Sequence, residues 1–116
     1  MLTIGYGHTS SVYEGQTITE HDAEELLRKD LMWFEEQVIK IILPLLTQHE
    51  FDSIVSFTFN VGSSALLNST FAKRMNDGES KTKCFREEFP KWVNGPSGPL
   101  PGLVRRRDAE VKLALN

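Results

Sequence analysis

Apolar residues recur every three or four positions between residues 19 and 45, which predicts one long amphipathic helix. Thr19 followed by Asp22 resembles a capping box at its start, and Pro44 indicates its end because proline cannot continue a helix. Trp33 lies off the apolar stripe, and we expect it to be half exposed. The stripe itself consists of Ala23, Leu26, Leu27, Leu31, Phe34, Val38, Ile41, Ile42 and Leu45.

Shorter helices are predicted in the second half of the chain, each with a start or stop signal. Thr47 and Glu50 form a capping-box pattern before a segment that is apolar on most faces, as buried helices are, and Gly62 predicts its end. Ser69 is the expected cap of a later helix, and Pro90 is expected to shorten another. The predicted ranges are a short turn at 63–68, helices at 69–76, 79–92 and 103–115, and a loop at 94–102.

The start of the chain favours extended backbone over residues 3–9, Thr-Ile-Gly-Tyr-Gly-His-Thr. Alternation places Thr3, Gly5 and Gly7 on one face, which is then nearly bare apart from a hydroxyl. A bare face lets another molecule approach the backbone and suits a cleft wall. The alternative is the edge strand of a small hairpin in which a glycine marks a bulge, with residues 17–18 as the returning strand.

The composition narrows the class of protein without identifying it. A chain of 116 residues with 40% hydrophobic residues is enough for one domain with a real core. The net charge of −3 gives no argument for nucleic acid as a partner. Cys84 is the single cysteine, which excludes an internal disulfide and fits folding in a reducing compartment. We see neither a secretory leader nor an apolar run long enough to span a bilayer.

Several stretches together resemble the phage-type lysozymes, the endolysin family of glycoside hydrolase family 24. The first is the strand motif of residues 3–9. Residues 57–62, Phe-Thr-Phe-Asn-Val-Gly, are similar to the end of an apolar helix of that family, and residues 68–71, Asn-Ser-Thr-Phe, to a turn across its cleft. Residues 102–110 follow the pattern Gly-Leu-x-x-Arg-Arg-x-x-Glu. The resemblance runs from the first motif to the last helix.

The resemblance implies a lysozyme-like α+β fold that is mostly α. It implies a single domain over residues 1–116, with a small N-terminal β-hairpin, a long connecting helix and a C-terminal helical lobe. The hairpin, at 1–18, is the remnant of an N-terminal lobe. The connecting helix spans 19–45, and the helical lobe spans 46–116.

Four site residues follow from the resemblance. Thr3 corresponds to the catalytic threonine of the family, and Phe59, Asn60 and Thr70 correspond to substrate-binding positions around its sugar-binding cleft. Judged as residues alone, Phe59 is favoured as a core side chain and Asn60 as a partner for backbone groups near a helix end. The resemblance places the cleft interpretation of Phe59 on an equal footing with the core. Thr70 stays open between a sugar contact and part of a helix cap, whereas Ser69 is expected to be the cap.

Charged residues outside the cleft have structural interpretations. The arginines at 105–107 lie near a helix N-terminus, where the dipole disfavours cations, so we expect carboxylate or carbonyl partners for them. A salt-bridge role is favoured over attraction to an anionic cell wall. The resemblance makes His8 a structural partner, with Asp22 as one candidate counter-ion. The three histidines and Cys84 show no metal-ligand spacing, so neither a metal nor another cofactor is expected.

The family places its acid glutamate in a helix before the strand motif and a second carboxylate, an aspartate, in the turn between that helix and the strand. Only Met1 and Leu2 precede Thr3, and nothing places Glu14 or Glu20 at the cleft. Glycoside cleavage needs a general acid, and losing one costs roughly a hundred- to ten-thousand-fold in rate. We therefore expect the chain to be weak or inactive as a lysozyme.

Three hypotheses follow for the function. The chain is a phage or prophage lysozyme, cutting β-1,4 bonds of peptidoglycan, whose N-terminal helix was lost by truncation or start-site choice. Alternatively it is a non-catalytic peptidoglycan-binding remnant, or a structural helical module without glycan affinity. The expected partner is the glycan strand of peptidoglycan, reached after synthesis in the cytoplasm and release to the cell wall. A lost helix would expose apolar surface near the long helix, which predicts self-association and low stability.

Overall fold

The computed structural model describes residues 20–116. The predicted N-terminal hairpin, Thr3, His8 and the Thr19 cap lie outside the described residues. The described part is mostly helical, which confirms the mostly α fold class. Its elements in chain order are α1 Glu20–Ile41, α2 Gln48–Val61, α3 Ser63–Leu67, α4 Thr70–Asn76, α5 Lys81–Glu88, a 3-10 turn Phe89–Lys91, β1 Asn94–Gly95, β2 Gly98–Pro99 and α6 Pro101–Ala114.

The long helix α1 ends at Ile41. The Asn76 side chain fixes this end, because its Nδ2 donates to the Ile41 carbonyl oxygen and its Oδ1 accepts from the Leu43 backbone N–H, both at 2.8 Å. The predicted end near residue 45 was therefore four residues too late. Leu45, expected in the core, is 91% exposed in the linker. The expected half-exposure of Trp33 is confirmed at 47%.

The predicted capping box at the start of α2 is confirmed. The Thr47 hydroxyl accepts from the Glu50 N–H at 3.1 Å, and a Glu50 carboxylate oxygen accepts from the Thr47 N–H at 2.7 Å. Gly62 ends the helix in a backbone conformation with φ 97°, which side chains other than glycine rarely adopt. Ile54 and Phe57 are fully buried, as expected for a helix that packs against both α1 and α6.

Ser69 is confirmed as the cap of α4, since its hydroxyl accepts from the Ala72 N–H at 3.0 Å. The helix predicted over 79–92 is shorter than expected. Ser80 caps it, it ends at Glu88, and the chain tightens into a 3-10 turn that contains Pro90. Proline lacks the N–H that another α-helical turn would need, which accounts for the change.

The predicted loop over residues 94–102 was wrong in two details. The segment contains a two-stranded antiparallel hairpin, with Asn94 opposite Pro99 and Gly95 opposite Gly98. A Cβ at Gly95 would lie 2.6 Å from the end of the Leu100 side chain, which would have to move to admit it. The last helix begins at Pro101, two residues earlier than predicted, because proline is well suited to the first helical position.

The centre of the lobe is a cluster of aromatic rings. Phe57 stacks on Phe89 with ring centroids 4.4 Å apart and meets Trp92 edge to face at 5.4 Å. Phe71 and Phe85 close the cluster and are fully buried. Free Cys84 is also buried, and burial raises the pKa of its thiol. Over residues 20–116, no helix has the length and apolar character needed to cross a bilayer.

Candidate functional site

Phe59 lies near the C-terminal end of α2 and is half-buried. Its ring packs against Phe34 of α1 with centroids 5.2 Å apart, and Phe34 in turn meets Trp33 edge to face at 4.9 Å. This contact joins α1 to α2, so Phe59 has a packing role. Its place at a sugar-binding cleft stays a prediction.

Asn60 follows on the same helix and is exposed. Its Oδ1 accepts a hydrogen bond of 2.6 Å from Nη2 of Arg107 on α6. The sequence suggested backbone groups as its partners, whereas the structure gives it a side chain 47 residues away. Asn60 is thus the point where a buried cation reaches the surface of the lobe.

Thr70 is the first residue of α4 and is exposed. Because Ser69 forms the cap, the Thr70 hydroxyl is not needed for that role. The short helix α3 separates Thr70 from Asn60 along the chain and packs against α1, α2 and α4. Thr3 lies outside the described residues, so its position opposite Phe59 and Thr70 stays a prediction.

The arginines of α6 have the partners that the sequence called for. Nε of Arg106 lies 3.2 Å from Oε2 of Glu110, and Nε of Arg107 lies 3.0 Å from Oε1 of the same residue. Nη2 of Arg106 also donates to the Ser56 carbonyl oxygen of α2 at 3.0 Å. The structural salt-bridge interpretation is confirmed for Arg106 and Arg107, with a carboxylate as the acceptor for both and a backbone carbonyl in addition for Arg106.

Arg107 is 1% exposed and Glu110 is 4% exposed, so the ion pair is almost fully removed from water. Burial lowers the pKa of Arg107. The Arg107 guanidinium also lies over the Phe57 ring, 5.0 Å from its centroid, which is cation–π geometry. Ser56 donates its hydroxyl to Oε2 of Glu110 at 2.6 Å, and Ser53 donates to the Glu110 carbonyl oxygen at 2.7 Å. We call the polar residues that join α2 to α6 the polar seam; they are Ser53, Ser56, Asn60, Arg106, Arg107 and Glu110.

Glu110 and the two serines were not singled out from the sequence as part of the site. The spacing of Glu110, three and four residues after the two arginines, was an available signal because such residues are neighbours on a helix. The serines carried no signal, since their contacts depend on how α2 packs on α6. Of the residues in the structure from 20 onward, no group of three or more histidine, cysteine or carboxylate side chains is arranged to hold a metal ion.

A second ionic cluster joins α4 to α5. Arg74 lies 2.8 Å from a carboxylate oxygen of each of Glu79, Glu87 and Glu88, and Lys91 adds a second cation to Glu88. Burial opposes the ionisation of Glu88, but the hydrogen bonds from Arg74 and Lys91 outweigh it and lower its pKa. This cluster holds two helices together and contains no predicted site residue.

The architecture of the lobe is that of lysozymes and muramidases. The muramidase domain of SpmX from Asticaccaulis excentricus matches it with a TM-score of 0.84 and 36% identity, covering 96% of this chain and 77% of that one. The family model for phage lysozyme matches residues 1–110. The chain therefore belongs to the phage lysozyme family.

Two curated relatives are endolysins from different phages. The endolysin of Acyrthosiphon pisum secondary endosymbiont phage 1 is 41% identical over 115 residues, which cover 96% of this chain and 77% of that protein. The endolysin of Bacillus phage B103 is 42% identical over 114 residues, which cover 97% of this chain and 43% of that protein. The match thus spans most of the first relative and less than half of the second.

Proposed function

We propose that this chain is an endolysin-type lysozyme domain of a family that hydrolyses the β-1,4-linked glycan strands of peptidoglycan, and that the 116-residue polypeptide itself cleaves them weakly or not at all. The observation that carries the proposal is the family match over residues 1–110, together with relatives named endolysin and muramidase. In this proposal the protein is made in the cytoplasm and acts on the cell wall after release.

Phe59, Asn60 and Thr70 form the proposed glycan-binding side of the helical lobe, and Thr3 is the proposed catalytic residue on the opposite side. Phe59 offers a half-buried aromatic residue, while Asn60 and Thr70 are exposed and carry an amide and a hydroxyl. Sugars present many hydrogen-bond donors and acceptors with little charge, so this combination suits them. The rigid packing of Phe59 against Phe34 supports a preformed surface.

Cleavage requires a general acid in addition to this surface. Within these 116 residues no carboxylate precedes Thr3. We expect the 116-residue polypeptide to release few or no muropeptides from purified peptidoglycan, and the Thr3→Val variant to match it. Chromatography of the soluble products measures this. Robust release by the unmodified polypeptide that Thr3→Val abolishes would contradict the expected weakness and would support catalysis through Thr3.

The second candidate is glycan binding without cleavage, which the exposed Asn60 and Thr70 favour because binding needs no acid. Co-sedimentation with insoluble peptidoglycan tests both candidates. We expect the polypeptide to sediment with the glycan and the variant Thr70→Val to sediment less. Failure of the unmodified chain to bind would contradict both candidates and leave a purely structural module.

We also propose self-association through the exposed apolar side of α1 and the linker that follows it. Ile39 is 66% exposed and Leu43 is 74% exposed, and with Phe51 they line an open groove of about 350 Å³. Exposed apolar surface of this kind favours association. Light scattering after gel filtration should show a concentration-dependent mass that Leu43→Lys lowers. A constant monomer mass across concentrations would contradict this proposal.

A further inference from the structure

The hydrogen-bonding groups of Arg107 determine the orientation of the Asn60 side-chain amide. Its neighbour Arg107 has five N–H donors and no acceptor, so only the oxygen of the amide can face it. The hydrogen bond of 2.6 Å from Nη2 to Oδ1 therefore fixes which end of the amide points into the protein. Since the oxygen and nitrogen of a planar amide point in different directions, Nδ2 is directed away from the guanidinium.

Nδ2 of Asn60 is free to donate outward. Asn60 is exposed, and none of the residues from 20 to 116 accepts a hydrogen bond from this nitrogen. The amide presents two N–H donors to solvent on the same turn of α2 as Phe59. A ligand group that meets them must supply an acceptor oxygen.

The surroundings of Arg107 restrict the movement of its side chain and therefore of the amide that it binds. Its side chain is 1% exposed, lies against Glu110 at 3.0 Å and sits over the Phe57 ring. A cation in a poorly hydrated place also polarises the amide that it binds, which strengthens the outward N–H donors. Within residues 20–116, Nη1 and Nε of Arg107 are buried without a hydrogen-bond partner, so the bond to Asn60 is the one clear hydrogen bond that this part of the chain gives the guanidinium.

We infer that Arg107 is a positioning residue that locks the amide of Asn60 so that Nδ2 donates to an acetamido carbonyl oxygen of the glycan. This inference rests on the proposed function and deepens it, since it names the part of the substrate that the site reads. Both sugars of a peptidoglycan strand carry an N-acetyl group, whose carbonyl is a strong neutral acceptor. Stem-peptide oxygens and sugar hydroxyls are other acceptors. A glycan without peptides excludes the first, and a deacetylated glycan, which keeps the hydroxyls, tests the second.

The variant Asn60→Asp separates this role from a structural one. It keeps an oxygen for Arg107 and replaces the neutral amide acceptor with a carboxylate, which turns the hydrogen bond into an ion pair, so folding should not suffer. At the same time it replaces the outward donor with an acceptor. Asn116→Asp is the matched control, because it makes the same change of charge at an exposed asparagine beyond the C-terminal end of α6.

Calorimetric titration with chitohexaose, an oligomer of N-acetylglucosamine without carboxylates, is the main test. We expect Asn60→Asp to weaken binding about tenfold. Its melting temperature should be equal or higher, and Asn116→Asp should bind like the unmodified chain. Fully deacetylated glucosamine hexamer should bind the unmodified chain no better than Asn60→Asp binds chitohexaose. Equal binding of chitohexaose by Asn60→Asp and the unmodified chain would overturn the inference while leaving the proposed function standing.

The Asn60 side-chain amide gives a second readout that does not depend on a variant. In ¹H–¹⁵N spectra of the unmodified chain its resonances should shift with chitohexaose and stay in place with the deacetylated hexamer. In Arg107→Lys, adding Asn60→Asp should cost little further affinity, because the fixed orientation is already lost. A stationary Asn60 resonance with saturating chitohexaose would overturn the inference. Absence of any binding by the unmodified chain would overturn the proposed function and this inference together.

Discussion

Helix α2 has two sides that are stabilised in different ways. On one side Phe57 packs with Phe89 and Trp92 in a dry aromatic cluster. On the other side Ser56 and Asn60 pair with the buried ions of α6. Aromatic packing needs shape and volume, whereas each member of the polar seam depends on the presence of its partners. The side of α2 that buries charged groups, which costs more free energy, is therefore the side that contains Asn60 of the proposed glycan-binding surface.

The two sides meet where the Arg107 guanidinium lies over the Phe57 ring. A buried ion pair gives little stability compared with apolar packing, because desolvation offsets most of the attraction. Stability alone therefore gives little reason for a buried ion pair in the polar seam. Its connection to the exposed amide of Asn60 supplies a functional reason for placing a charge there.

The largest expected effect comes from breaking the aromatic side. Phe57→Ala removes a fully buried ring with three aromatic neighbours and should lower the free energy of unfolding by about 3–5 kcal/mol. Urea denaturation followed by far-UV circular dichroism measures this. Phe57→Leu is the control and should cost clearly less. A loss for Phe57→Ala no larger than that for Phe57→Leu would contradict the packing account.

Glu110→Gln tests the polar seam. It keeps an oxygen that can accept hydrogen bonds but removes the negative charge between two arginines. Because a buried cation is then left without its counter-ion, we expect a loss of about 3 kcal/mol in the free energy of unfolding. The doubly changed Glu110→Gln, Arg106→Gln chain should lose less than the sum of its parts, since one excess cation is removed. Strict additivity in denaturation experiments would show that the seam does not act as a unit.

Acid should weaken the Arg74 cluster. The pKa of Glu88 lies below its ordinary value of 4.5, so its contribution is complete above that pH and is lost as the pH falls through the lower folded-state value. Glu88→Gln should cost about 1–2 kcal/mol at pH 7 and flatten the decline between about pH 5 and pH 3. Thermal melts across this range measure it. An unchanged acid limb in Glu88→Gln would contradict the assignment.

The smallest effect is expected at the surface of α6. Lys112 pairs with Asp108 at 2.9 Å, and both side chains are mostly exposed. Such pairs are screened by water and salt, so Lys112→Gln should leave the melting temperature unchanged. A clear destabilisation that disappears in high salt would show that exposed charges matter more here than the comparison assumes.

Local signals in the sequence predicted local structure correctly. The Thr47 capping box and the Ser69 cap each depend on residues three positions apart, and both were recognisable from residue type. The end of α1 was not predictable in this way. It depends on Asn76, which is 33 residues beyond Leu43 in the chain and reaches back to it.

The same limit applies to the candidate site. Residue types and a family resemblance identified Phe59, Asn60 and Thr70, but the bond between Asn60 and Arg107 spans 47 residues and follows only from the packing of α2 on α6. The catalytic role of Thr3 and the N-terminal hairpin stay predictions, because they lie outside residues 20–116.

The central claim is that the C-terminal end of α2 and Thr70 of α4 form a glycan-binding surface. Backbone ¹H–¹⁵N spectra of the chain titrated with chitohexaose test it most directly. We predict that the resonances of Phe59, Asn60 and Thr70 shift together with one dissociation constant, while those of the aromatic cluster stay in place. Saturable shifts confined to other parts of the lobe, with these three residues unmoved, would contradict the claim.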